Sequence, residues 1–255
     1  MRASKAVAVV TGAGRGLGAA TARELGRRGY HVIVNYRSNA GTAQAVVDDI
    51  QADGGTATRI AADVCAEAEV TALVEAVMAE HGRIDVLVCN ANTVSPTFVP
   101  LASLAWADFI GKVTGELAGA FFITKSVLTA MRQGGRIVYV SSTAADYVGS
   151  GRMSHGTAKS ALTTFSRHVA AEAAPLGIAV NTVSPGAVMT EASAERISGD
   201  RLKQVTDNSI LGRVMQPDDV AAVIGLLTDQ GMRSVTGAVL RVDAGFGVLV
   251  GGPSS

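Results

Sequence analysis

Seven short runs rich in Val, Ile and Ala recur along this chain, at 6–11, 31–35, 56–61, 85–89, 136–140, 178–183 and 239–242. The first, fourth, fifth and sixth are almost continuously apolar, the pattern of strands buried on both faces of a parallel sheet. Between the runs, segments 19–28, 42–53 and 68–81 carry apolar residues at three- and four-residue spacing, and longer helical stretches cover about 104–131 and 154–174. Pro175 and Gly177 stop the latter, and Pro217-Asp218-Asp219 opens one more helix, with acids at the positive end of its dipole. Strands that alternate with helices predict a doubly wound α/β fold: about seven parallel strands, with helices on both faces. No linker or internal repeat divides the chain, so 1–255 reads as a single domain.

Composition narrows the function. Lys plus Arg and Asp plus Glu both number 22, giving zero formal charge. A nucleic-acid partner needs a cationic footprint that this balance does not offer. No apolar stretch reaches the roughly 18 residues of a membrane span. Met1-Arg2-Ala3-Ser4-Lys5 could open a signal peptide, but the apolar run after it is short and meets glycines, not a cleavage site. Cys65 and Cys89 make no disulfide framework. The expectation is a cytoplasmic protein with no membrane or nucleic-acid partner. The cysteines and the four histidines show no metal-ligand spacing, and no metal is expected.

The first run ends in Thr11-Gly12-Ala13-Gly14-Arg15-Gly16-Leu17-Gly18, directly before a helix. Glycines let the backbone approach a pyrophosphate, and the helix N-terminus offers N–H groups to the anion. The spacing is G-x-x-x-G-x-G, at Gly12, Gly16 and Gly18, rather than G-x-G-x-x-G. A tight turn without a ligand is the bland alternative. Following the first strand of a parallel sheet, the turn favours a dinucleotide site.

Thr-Gly-x-x-x-Gly-x-Gly at this place resembles the short-chain dehydrogenase/reductase family, and the resemblance runs from about residue 5 to Asp243-Ala244-Gly245. It implies cofactor contacts from Gly12, Arg15, Gly16, Leu17, Gly18, Asp63, Val64, Asn90, Ala91, Lys159, Pro185, Gly186, Val188 and Thr190. Cys89-Asn90-Ala91-Asn92 departs from the family's Asn-Asn-Ala-Gly at its first and last positions. The second strand ends Asn35-Tyr36-Arg37-Ser38, without the acid that would hold a ribose 2′-OH. Arg37 and Arg15 are suited to a 2′-phosphate, so NADPH is expected in preference to NADH, with Asn35 and Ser38 nearby. Solvated arginines, and a helix cap for Asp63, are the competing readings.

The family's catalytic set is Asn, Ser, Tyr and Lys, with Tyr-x-x-x-Lys on one helix face. Here Lys159 and Ser142 keep their places, but His155 stands where Tyr is expected and Glu116 where Asn is expected. His155 reads equally as a replacement acid, in concert with Glu116, or as a side chain filling vacated space. Glu116 reads better as a solvated or water-bridging side chain than as an active partner. Tyr147 lies twelve residues before Lys159 and does not share its helix face.

Three functions compete. The leading one is NADPH-dependent reduction of a small carbonyl or quinone, with polycyclic aromatic polyketides, whose oxyanions need little help from an enzyme acid, as one candidate class. The others are an NADP(H)-binding sensor that has lost chemistry and a non-redox enzyme on the same fold. Residues 189–211, with mixed charge, read as a mobile lid. The resemblance implies a homotetramer or dimer, to which the small apolar runs 118–122 and 158–162 and the apolar Val248-Leu249-Val250 lend weak support.

Overall fold

The computed structural model describes residues 5–248. Seven parallel strands form one sheet: β1 (Val7–Val10), β2 (His31–Tyr36), β3 (Thr56–Ala61), β4 (Ile84–Cys89), β5 (Met131–Val140), β6 (Ala179–Pro185) and β7 (Val239–Val242). Their order is β3-β2-β1-β4-β5-β6-β7. The helices are α1 (Gly16–Arg27), α2 (Ala40–Ala52), α3 (Glu67–His81), α4 (Trp106–Leu128), α5 (Met153–Ala173), α6 (Gly199–Asp207) and α7 (Pro217–Leu227).

Period-two alternation divides the core between the two faces of the sheet. Val7 and Val9 join Leu73, Ile123, Leu162 and Val169 from α3, α4 and α5. Ala8 and Val10 join Leu25, Ile50 and Ile224 from α1, α2 and α7. The strand order reverses at β1, which pairs with β2 on one side and β4 on the other. The crevice beyond their C-terminal ends is where doubly wound sheets bind ligands.

Two element boundaries differ from the sequence reading. The fourth helix ends at Leu128 instead of near 131, and β5 begins at Met131 instead of 136. Residues 132–134 are exposed polar chain and glycine, so apolar patterning carries no signal there. The 189–211 segment holds only the short helix α6, preceded by turns. Its far end is tied down: Ser209 Oγ and the Leu211 N–H both donate to the Ala244 carbonyl, beyond β7.

No helix is long and apolar enough to cross a membrane among the described residues. On α4, Phe121 is exposed, whereas Ala158 and Leu162 on α5 are buried within the subunit. The second small-residue run is therefore not a free surface. Val248 is exposed, and Leu249 and Val250 lie outside the described residues.

Candidate active site

The glycine turn is held by hydrogen bonds from both neighbouring strands. The Thr11 N–H donates to the Val88 carbonyl, and Thr11 Oγ1 accepts from the N–H groups of Asn90 and Ala91. Asn90 Nδ2 donates to the carbonyls of Thr11 and Gly12, at 3.0 and 3.2 Å. From the other side, buried Asn35 accepts from the Gly12 N–H and donates to the Ala62 carbonyl. The side chain of Asn35 is thus occupied inside the fold, where it shapes the turn instead of facing outward.

Two positions require glycine outright. Gly12 adopts φ +63° and packs so closely that a Cβ would stand 2.9 Å from Ala91 Cα. A Cβ on Gly18 would overlap the Gly12 carbonyl oxygen and stand 2.5 Å from Asn90 Nδ2. Helix α1 then begins with no acid in its first turn and no side-chain cap, and its N-cap Arg15 is extended and exposed. Its first-turn N–H groups have no intrahelical acceptors, so the turn forms an anion cradle. Thr190 borders it, with its Cβ 3.6 Å from where a Cβ of Gly16 would lie.

The other expected contacts surround this crevice. Arg37 and Ser38 are exposed at the end of β2, and Arg37 Nη1 lies 3.9 Å from Asp63 Oδ2. Asp63 does not cap α3, whose N-cap is Ala66; its Oδ1 accepts from the Cys65 N–H in a local turn. The side chain of Val64 belongs to the core. Pro185 ends β6, the Gly186 N–H donates to Val242, and Val188 pairs with Met215. The Thr190 N–H donates to Ser193 Oγ, which itself donates to the Val188 carbonyl.

At the ends of β4 and β5 lies a buried charge cluster. Glu116 is only 4% exposed, which corrects the expectation of a solvated side chain. One of its oxygens accepts from Lys159 Nζ and the other from Lys112 Nζ, both at 2.5 Å. Lys112 is fully buried and also donates to Asn92 Oδ1 at 2.7 Å. Lys159 Nζ donates in addition to the Val140 carbonyl. Burial raises the Glu116 carboxyl pKa, but the ammoniums of Lys159 and Lys112 overcome this and leave it below its ordinary value. Burial lowers Lys112, with Glu116 opposing. A small cavity lined by Thr11, Ala91, Glu116 and Leu162 joins this cluster to the glycine turn.

His155 occupies the first turn of α5, four residues before Lys159. Its Nδ1 is buried without a hydrogen-bond partner among the described residues. Among the described residues it makes no hydrogen bond to Glu116, whose oxygens accept from Lys159 and Lys112. The concerted Glu116–His155 acid considered from sequence therefore does not form. Burial, reinforced by Lys159 and Lys112 against the opposing Glu116, pushes the imidazole pKa down to about 4. At neutral pH the ring is uncharged.

Ser142 is half-buried; its Oγ accepts from the Ala144 N–H and starts a short 3₁₀ turn. Its neighbour Ser141 points inward, bonded to Thr163. Tyr147 accepts from Arg241 Nη1 and packs on Phe246. Two participants escaped the sequence reading. Lys112 carried a legible signal, a lysine four residues before Glu116 on the same helix. Phe98, whose ring meets His155 at 6.0 Å, comes from an irregular loop that carries no pattern.

Comparison with known proteins supports the fold and identifies the family. Residues 12–247 match the family described as enoyl-(acyl carrier protein) reductase. Versicolorin reductase of Emericella nidulans is 35% identical over 251 residues, covering 94% of each chain. A 3-oxoacyl-[acyl-carrier-protein] reductase of Synechocystis is 36% identical over 243 residues, covering 94% of this chain and 96% of the relative. A short-chain dehydrogenase of Burkholderia cenocepacia, solved in complex with NADP, superposes with TM-score 0.88 at 30% identity, over 96% of this chain and 98% of that one. The promiscuous reductase LugOII, which catalyses keto-reduction at C1 during lugdunomycin biosynthesis, gives TM-score 0.88 at 28% identity, over 96% and 99%. With fold, glycine turn and full-length relatives in agreement, the chain belongs to the short-chain dehydrogenase/reductase family of oxidoreductases.

Proposed function

We propose that this protein is an NADPH-dependent reductase of a small aromatic ketone or quinone, of the polycyclic polyketide kind, working without a side-chain acid. The observation that carries the reading is the uncharged His155 beside a Lys159 ammonium that Glu116 and Val140 hold in place. The residues present fit a dinucleotide: a Cβ-free turn, an uncapped helix N-terminus, and Arg37 and Arg15 where an acid would select NADH. Asp63, Val64, Asn90, Ala91, Pro185, Gly186, Val188 and Thr190 line the remainder of that site, and Ser38 borders it.

A bound nicotinamide supplies the hydride. The protein supplies position and field. Asn90 and Asn35 fix the turn, while Thr190 borders the cradle. Lys159 places a positive charge at the cofactor side of the crevice. Ser142 and the neutral imidazole of His155 act as hydrogen-bond donors to the substrate oxygen. A neutral imidazole gives up a proton far less readily than an imidazolium, so His155 would polarise the oxygen without protonating it, as neutral histidine does elsewhere, and solvent water would supply the proton that completes the product hydroxyl. Substrates whose reduced oxygen is stabilised by delocalisation suit such a site. Relatives named versicolorin reductase and elsinochrome reductase, and the keto-reduction by LugOII, support this direction.

One observation favours a sensor instead: Lys159 Nζ is already engaged by Glu116 and Val140. NADPH consumption over a panel of polycyclic ketones and quinones separates the two. The reductase reading predicts turnover that falls about 10²–10⁴-fold in Lys159→Ala but less than about tenfold in His155→Phe. It also predicts that Arg37→Gln weakens the preference for NADPH over NADH. Tight NADPH binding with no turnover on any substrate would favour the sensor.

A further inference from the structure

We propose that Arg152 and Arg196, with Phe98 between them, form a recognition site for an aromatic carboxylate substrate; the proposal rests on the reductase reading and specifies its substrate class. The guanidinium of Arg152 lies 5.9 Å from the Phe98 ring centre, and that of Arg196 lies 5.6 Å from it. The same ring meets His155 edge-on at 6.0 Å. Phe98 thus connects three elements: the loop after β4, the start of α5 and the 189–211 segment. An aromatic group beside Phe98 would have His155 and both guanidiniums close by.

The charges around this ring are unbalanced. Arg23, Arg28, Arg213 and Arg241 each close on a carboxylate within 4 Å. Among the described residues, Arg152, Arg196 and Arg201 form no such pair, even though Glu195 and Asp200 are chain neighbours of the latter two. Burial, and then repulsion from Arg201 and Arg196, disfavour the charge on Arg152. Arg152 is also the N-cap of α5, a helix of 21 residues with no acid in its first turn and no side-chain cap. Helix dipole and guanidiniums therefore act in the same direction, toward an anion. Contact with the Phe98 face offsets part of the repulsion, but it supplies no counter-charge. A carboxylate does, and arginine forks bind it with two parallel hydrogen bonds.

Arg196 belongs to the segment expected to act as a lid, so the anion would join that segment to α5. The substrate's own charge would then order the cover over its reacting group.

The test compares anthraquinone-2-carboxylate with anthraquinone-2-carboxamide, by calorimetric titration of the NADP⁺-bound protein, where no reduction occurs. The carboxylate is expected to bind about tenfold more tightly than the amide. Arg152→Gln/Arg196→Gln should remove that preference and leave the amide affinity unchanged, while Arg241→Gln keeps it. Raising the salt concentration should narrow the gap. Equal affinity for the two probes in the unaltered protein, or a preference that survives the double substitution, would overturn the proposal. With NADPH in place of NADP⁺, reduction of neither probe despite an intact binding preference would overturn the reductase reading for this substrate class and leave the recognition site standing.

Discussion

The two halves of the crevice are built on different principles. The cofactor half, from Thr11 to Gly18, is shaped by backbone. Glycines occupy conformations or spaces that a side chain cannot, and Asn90 and Asn35 hold the turn through carbonyl and N–H groups. The substrate half is shaped by charge. Lys112, Glu116 and Lys159 form a buried chain that positions one ammonium, and burial, reinforced by the two lysines against Glu116, keeps His155 neutral. A backbone device tolerates no added atom; a charge device tolerates no lost partner. The halves should therefore fail in different ways.

The largest effect is expected in the charge half. Glu116→Gln leaves the buried Lys112 and Lys159 ammoniums without the carboxylate they share. Breaking a buried pair costs about 3–5 kcal/mol. Urea unfolding should show that loss, and Lys112→Met/Glu116→Gln should recover part of it, because one of the two stranded ammoniums is then gone. If the single substitution is neutral, the charge chain does not hold this half together.

The next effect is a pH dependence. The unfolded His155 titrates near 6.5 and the folded one near 4. Between those values the unfolded chain binds a proton that the folded chain does not. Stability is therefore full above about pH 6.5 and falls as the pH drops toward about 4, by up to about 3 kcal/mol. His155→Phe should remove this part of the slope in melting temperature against pH, and an unchanged slope would remove the neutral imidazole from the account.

In the backbone half the effect is smaller in stability and specific in function. Gly18→Ala adds one methyl against Gly12 and Asn90 and should cost about 1–3 kcal/mol, as overpacking does. It should weaken dinucleotide binding more than it lowers the melting temperature. Loss of stability without loss of binding would mean that the turn is scaffold alone.

The same contrast explains what was legible in the sequence. Strand runs, the sheet class and the glycine turn were readable because each depends on local periodicity or on residues adjacent in the chain. Asn35 was placed correctly at the end of β2, but the direction of its side chain depends on the distant Gly12 and Ala62. Glu116 was located, yet its burial is invisible without Lys159, 43 residues away. Lys112 stood in plain view at helical spacing from Glu116. Its meaning depends on α4 facing inward at that point, which composition does not reveal.

The most direct test of the central claim is the titration of the His155 imidazole by NMR from about pH 3 to about pH 9, assigned with His155→Phe. The account predicts a midpoint near 4 that moves upward in Lys112→Met, where one neighbouring positive charge is gone. A midpoint at or above the ordinary histidine value would contradict it. In that case His155 would be an imidazolium able to donate its proton, and the reaction would not need a substrate that stabilises its own oxyanion.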